Sequence, residues 1–270
     1  MNIKNLVSTV MSRAGIHVSR SSSSQDLKAL LGRYWPVDPG FPLRRIGGMN
    51  DGGYLIPDCL DGISVCLSPG VDRTADFERE LADMGIRSHL IDKTVDAPPD
   101  GFTPLSFTKK FVGPVTCAKT DLISIQDWLD EVGETAREDM ILQMDIEGAE
   151  YATLLATPRN IRRQFRIIVL ELHNLNALGN RAFLQVFRDF SDMLLQDHVV
   201  VHAHPNNIRS PVRLGEVVLH PFLELTLLRR DVLRDAIEEH RHDLPHPLDH
   251  PCVPELPDAP LATGWFAGRR

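Results

Sequence analysis

Several things missing from the 270-residue sequence narrow what it can be. No apolar run approaches the ~20 residues needed to span a bilayer, and the start MNIKNLVSTVMSRAGIHV holds no continuous apolar stretch of signal-peptide type. No cysteine pair is spaced C-x-x-C, and four cysteines (Cys59, Cys66, Cys117, Cys252) in so long a chain make no disulfide framework. A reducing, cytoplasmic setting without stable membrane insertion is the expectation. A basic excess is missing too: 29 Lys and Arg stand against 37 Asp and Glu, a formal charge of -8, which disfavours general capture of nucleic acid. The nicotinamide fingerprint G-x-G-x-x-G and the phosphate-gripping G-x-x-x-x-G-K-[ST] are both absent, which argues against a dehydrogenase and a P-loop enzyme.

What is present fits a folded globular chain, with 43% hydrophobic and 24% charged residues. Composition shifts only at the ends. Residues 1–33 read as an amphipathic arm and a serine-rich linker, with Lys4, Arg13 and Arg20 before the first acid, Asp26. Residues 232–270 read as a helix and then a solvated tail, because six prolines fall from Pro245 to Pro260 around His246 and His250. Residues 34–231 form the domain between them.

There, strand and helix patterns alternate. Residues 63–68 (ISVCLS) read as a strand, Pro69-Gly70 as a turn, and 74–84 as a helix with Phe77, Leu81 and Met84 on one face. Gly85 closes that helix and 88–92 (SHLID) reads as the next strand, completing a βαβ unit. Ser124 with Asp127 resembles a capping box ahead of Ile125, Trp128, Leu129 and Val132, which share a helical face. Strands at 141–145 and 167–172 flank a helix from 149 to 156 that Pro158 stops. A helix at 181–195 leads into strands at 198–202 and 222–228. Such alternation predicts a mostly parallel sheet with helices on both faces and a ligand beyond the carboxyl ends of its strands.

Candidate site residues therefore sit at strand ends. In Ser68-Pro-Gly-Val-Asp72, Gly70 would let a ligand approach the backbone, and the helix start offers free N–H groups. Asp92 ends the next strand, where an acid can accept from both ribose hydroxyls. Turn plus acid suggests an adenosine-containing cofactor; an ordinary βα turn followed by a surface Asp explains them equally. The glycine-rich stretch 47–53 can fold over a cofactor, with Tyr54 stacking or hydrogen-bonding there, or can make a pair of tight turns. In Met144-Asp-Ile-Glu-Gly-Ala-Glu150, Asp145 falls in the ligand crevice, while Glu147 and Glu150 suit a plain helix start. Glu171 and His173 point to one side of their strand, and a histidine beside a carboxylate is a reasonable general base; a rim histidine satisfied by a neighbour is the other reading. In His202-Ala-His-Pro-Asn-Asn207, H-x-H spacing can give two metal ligands, with Glu171, His173 or Asp145 completing the site. The neutral donors Asn206 and Asn207 suit a polyol better. The expectation is thus that His202, His204, Asn206 and Asn207 bind substrate, with a divalent metal second to a metal-free site.

Together these strings resemble the FkbM family of S-adenosylmethionine-dependent methyltransferases. The matching pieces are Arg45-Ile-Gly with Asp51-Gly-Gly-Tyr54, SPGVDRTADFE at 68–78, LQMDIEGAE at 142–150, VLELH at 169–173, and HAHPNN at 202–207 followed by LELT at 223–226. The resemblance implies a Rossmann-like class I methyltransferase: an α/β fold with a seven-stranded, mostly parallel sheet, helices on both faces and an antiparallel last strand. It implies S-adenosylmethionine held by Ser68, Gly70, Asp72 and Asp92, and Asp145, Glu171 and His173 converging beside the sulfonium. His173 is then the base, and the two acids position an acceptor hydroxyl on a sugar-like or other small molecule or glycan. One departure is that Gly70 alone stands where many methyltransferases carry G-x-G-x-G. A Rossmann-type nucleotide-sugar or dinucleotide enzyme would explain the βαβ unit and Asp92 but not the E-L-H and H-x-H-x-N-N strings. A non-catalytic module derived from a methyltransferase would keep Asp92 and need no His173.

Overall fold

The computed structural model describes residues 20–49, 51–71, 73–99, 101–234 and 244–261. The basic arm, Asp72 and most of the helix expected after residue 232 lie outside them. The first described helix, α1 (Ser24–Leu31), starts where the Ser23 hydroxyl accepts from Asp26 N and buries Leu27, Leu30 and Leu31. Strands β1 (Leu43–Ile46) and β2 (Tyr54–Pro57) form an antiparallel pair. The βαβ unit follows as β3 (Val65–Pro69), α2 (Asp76–Asp83) and β4 (Arg87–Ile91). After β5 (Ser106–Thr108), the short β6 (Phe111–Val112) and β7 (Leu122–Ile123) pair in parallel. Helix α3 (Ile125–Val132) begins at the expected cap, with Ser124 Oγ accepting from Asp127 N at 3.1 Å. Then come β8 (Met140–Met144), α4 (Glu150–Ala156), α5 (Arg159–Arg162) and β9 (Phe165–Leu172). Helix α6 (Arg181–Asp197) leads to β10 (His198–Pro205), the small pair β11 (Val212–Leu214) and β12 (Val217–Leu219), and β13 (Leu223–Arg229).

Seven strands form the main sheet in the order β10-β13-β9-β8-β3-β4-β5. Strand β13 runs antiparallel to both β9 and β10, and the other neighbours are parallel. The central strands β3 and β8 are buried along their whole length, as parallel strands covered on both faces require. Alternate residues serve the two faces. Leu67, Leu142, Ile168 and Leu225 pack with Leu27, Trp128, Leu154 and Phe187 from the helices, whereas Cys66, Ile141 and Ile167 pack with Ile46, Ile56, Phe77 and Leu81. The second face thus differs from the expected helical layer: the β1–β2 pair shares it with α2.

Two further expectations are corrected. Strand β10 does not stop at His202 but pairs with β13 as far as Pro205 opposite Leu223, so His202 and His204 lie within the sheet. The proline-rich segment 244–261 is not solvated throughout, since Cys252, Ala259 and Leu261 are buried. Its aspartates meet the β10 histidines, and that pairing brings the segment down onto the sheet end.

His198, the first residue of β10, is buried and donates from Nε2 to the Phe165 carbonyl at 2.9 Å. Burial lowers its pKa to about 4. Because this lies below the unfolded value near ~6.5, the contribution of neutral His198 is complete above that pH and is lost as pH falls toward the folded value. The loss amounts to about 3 kcal/mol at most. Urea unfolding at pH 7 and pH 4.5 should show this drop in the parent chain and a smaller one in His198→Gln; equal drops in both would assign the acid sensitivity elsewhere.

Candidate functional site

A cavity of about 580 Å³ opens beyond the carboxyl ends of β3, β4 and β8, within the size range of small-molecule sites. Its wall includes Gly70 and Val71 after β3, Asp92 after β4, Asp145 and Glu147 after β8, and Gly52 and Tyr54 from the β1–β2 pair. Of the glycine-rich stretch, Asp51 and Gly52 line the cavity. Tyr54 is held edge-on to Phe77, with ring centroids 5.6 Å apart.

Gly70 lines the cavity and also serves a contact within the protein. Its N–H donates to Ile91 O at 3.1 Å, its φ is +89°, and a Cβ built on it would stand 1.6 Å from the Asp145 carbonyl oxygen. The glycine lets two strand-end turns touch. Asp92 ties the same turn, since its Oδ2 accepts from Val71 N at 3.1 Å and its Oδ1 from Thr94 N at 2.7 Å and Thr94 Oγ1 at 2.6 Å. Ser68 is fully buried and does not line the cavity. It donates to Gln143 Oε1 at 2.7 Å and is hydrogen-bonded to Glu78, and both of these reach the wall. Burial raises the Glu78 carboxyl above its usual range.

The turn from β8 into α4 is built around Glu150, which is completely buried. Its Oε1 accepts from Ile146 N at 3.0 Å and Gly148 N at 3.1 Å, while Glu147 and Gly148 take φ of +58° and +103°. The same oxygen accepts from His173 Nδ1 at 3.2 Å. Glu150 therefore fixes both the loop that carries Asp145 and the ring of His173. Reading it as a plain helix start missed this role; an acid reaching back to N–H groups at the start of its own helix is the available signal.

Asp145, Glu171 and His173 do come together, with one ligand atom of each lying within 4.8 Å of the others. Only Asp145 of the three lines the cavity; Glu171 and His173 stand behind it, buried, so His173 does not face the cavity as expected of a base. The His173 ring packs on Phe222, and its Nε2 lies 3.6 Å from Asp145 Oδ1 and 3.5 Å from Glu147 Oε2. Burial pulls its pKa down, but Glu150, Asp145 and Glu147 outweigh it and leave the pKa raised. Burial raises Asp145 to about 7 against the opposing pull of His173, and burial followed by Asp145 and Glu224 raises Glu171 well above the usual range.

The four residues expected on the acceptor are placed differently, and none of them lines the cavity. His202 Nε2 and His204 Nε2 are each 2.9 Å from a carboxylate of the C-terminal segment, Asp249 and Asp258 respectively. Asn207 Nδ2 donates to the carbonyls of Val253 at 3.0 Å and Pro257 at 3.2 Å, and its Oδ1 accepts from Val253 N at 2.8 Å. These side chains anchor the segment that covers them. Asn206 alone touches the acidic cluster, donating to Glu171 Oε1 at 3.0 Å.

Residues 76–198 match a family described as Methyltransferase FkbM domain. The match runs from α2 to the first residue of β10 and contains Asp92, Asp145, Glu150, Glu171 and His173. The turn after β3 and the H-x-H-x-N-N string lie outside it. No curated protein is a significant match to the chain. Among the described residues, no helix is long and apolar enough to cross a membrane.

Proposed function

From the FkbM methyltransferase domain that the chain carries over residues 76–198, we propose that it is a class I, S-adenosylmethionine-dependent O-methyltransferase acting on a sugar-like or other small hydroxylated acceptor. The observation that carries this reading is one cavity with an acid on either side, Asp92 after β4 and Asp145 after β8. The antiparallel β13 between β9 and β10 supports the class assignment.

The residues present fit the cofactor. Ile91, Val112 and Leu122 supply an apolar wall for a base, and Asp92 supplies a carboxylate for the ribose. Gly70 and Val71 bring backbone to the same wall, Ser68 acts from behind through Glu78 and Gln143, and Asp72 keeps the cofactor role expected of it. When bound, S-adenosylmethionine supplies a methyl group on a good leaving group, so the protein has mainly to align an acceptor and manage one proton. Asp145 faces the acceptor, and Glu171 and His173 act through it. On this reading His202, His204 and Asn207 support the acceptor side by anchoring segment 244–261 instead of touching substrate.

Asp92→Ala should weaken S-adenosylmethionine binding more than tenfold, since a charge-assisted hydrogen bond contributes roughly 1.5–3 kcal/mol. Titration calorimetry of the variant, with circular dichroism showing that it is folded, checks the ribose assignment; unchanged affinity would remove it. Mass spectrometry of a ligand retained through gentle purification tests the cofactor class, and a dinucleotide or nucleotide sugar there would replace the methyltransferase reading. Absence of labelled-methyl transfer to small hydroxylated acceptors, with the cofactor bound, would favour a non-catalytic module.

A further inference from the structure

We propose that Asp145, Glu171 and His173 form a binding site for one divalent transition-metal cation of the Mn²⁺ or Zn²⁺ class. The argument starts from the histidine. Among the described residues its Nδ1 faces only acceptors, Glu150 Oε1 and the Glu171 carbonyl, each at 3.2 Å. Nδ1 must therefore carry the hydrogen, which leaves Nε2 as the outward end of the ring. A metal-binding histidine is normally held in this way, with its other N–H on a carboxylate or a carbonyl.

What Nε2 meets is the second observation. Asp145 Oδ1 and Glu147 Oε2 stand 3.6 and 3.5 Å away, too far for a good hydrogen bond. Two atoms bound to one ion at roughly 2.0–2.2 Å are naturally spaced by about that much. Asp145 Oδ1 is also buried with no hydrogen-bond partner among the described residues. A buried carboxylate oxygen with nothing to accept is costly, and a cation between it and Nε2 would satisfy both. Glu171 completes the set, steadied from outside by Asn206 Nδ2 at 3.0 Å.

The ligand chemistry selects the ion. One imidazole with two carboxylates suits Mn²⁺ or Zn²⁺ better than Ca²⁺, which prefers oxygen alone. The position also differs from the H-x-H site weighed from the sequence, because His202 and His204 already meet Asp249 and Asp258. Since Asp145 lines the cavity, an ion here would face it and could polarise an acceptor hydroxyl. That consequence rests on the methyltransferase reading, whereas ion binding itself does not.

The test is a Mn²⁺ titration of chelator-stripped full-length protein without cofactor, followed by the loss of the free-ion electron paramagnetic resonance signal. One ion per chain is expected. Asp145→Asn and His173→Gln should each weaken binding at least ~100-fold, and Glu150→Gln, which loosens the ring and the loop that carries Asp145, about 10–100-fold. Cys252→Ser alters the separate Asp51, Glu224 and Cys252 group and should leave binding unchanged. No binding by the folded parent chain would overturn the proposal, as would loss in Cys252→Ser with retention in Asp145→Asn. Should His173→Gln fail to fold by circular dichroism, the partly exposed Asp145 decides the matter alone, and Mn²⁺ should raise the unfolding temperature of the parent but not of Asp145→Asn. Mn²⁺ binding by a chain that shows no methyl transfer would uphold the ion site and overturn the methyltransferase reading, whereas methyl transfer without Mn²⁺ binding would do the reverse.

Discussion

Replacing His173 by alanine should lower turnover about 10²- to 10⁴-fold on a competent acceptor while S-adenosylmethionine affinity stays near that of the parent chain. The split follows from geometry. His173 is absent from the cavity wall, so its removal should take nothing from the cofactor, yet its Nε2 stands behind Asp145, which lines the cavity. The effect should therefore fall on kcat and leave the cofactor KM nearly unchanged. Glu150→Gln should reproduce part of the loss, because Glu150 Oε1 holds both the ring and the N–H groups of Ile146 and Gly148. A proton-accepting imidazole and an ion-holding one both predict the fall in kcat; the Mn²⁺ titration tells them apart. A folded His173→Ala protein with parental turnover would sink the role in either form.

Why the histidine and its neighbours were legible in the sequence, and others were not, comes down to the range of the interactions. Ser124 caps α3 through an N–H three residues away, and the buried strands β3, β8 and β9 announce themselves as apolar runs. Once such strands alternate with helices, ligands belong at their carboxyl ends, so Asp92 and Asp145 could be placed on one crevice from order alone. Glu150 was misread because its partners meet it only after Glu147 and Gly148 adopt positive φ, a conformation that no hydrophobic period encodes. The C-terminal segment was misread for a related reason. Asp249 lies 47 residues from His202 and Asp258 lies 54 from His204, and pairs so distant leave no periodic trace. Proline-rich composition correctly excluded the segment from the sheet but said nothing about what two aspartates would find there. The β1–β2 pair escaped notice because its strands are only four residues each, too short for alternation to show.

Gly70→Ala should disrupt the site more than its single added methyl suggests. Two penalties combine. The first is conformational: φ of +89° is strained for a residue with a side chain, by roughly 1–2 kcal/mol. The second is a collision, because the new Cβ would lie 1.6 Å from the Asp145 carbonyl oxygen and 2.7 Å from its carbon. That oxygen belongs to the backbone and cannot rotate away. Nor are the two turns loose, since Gly70 N donates to Ile91 O at 3.1 Å and Asp145 N donates to Pro69 O at 3.2 Å. Relief requires one turn to move by an ångström or more, and a shift of about that size at a reacting centre costs on the order of 100-fold in rate. Stability should fall by roughly 2–4 kcal/mol, as for other changes that force backbone to move. Gly85→Ala is the control that isolates the first penalty: φ there is +85°, but no atom of the described residues lies within 4 Å of a built Cβ. It should lose only the conformational part and keep full cofactor affinity, so equal urea midpoints for the two variants would show that the contact with Asp145 does not constrain the turn.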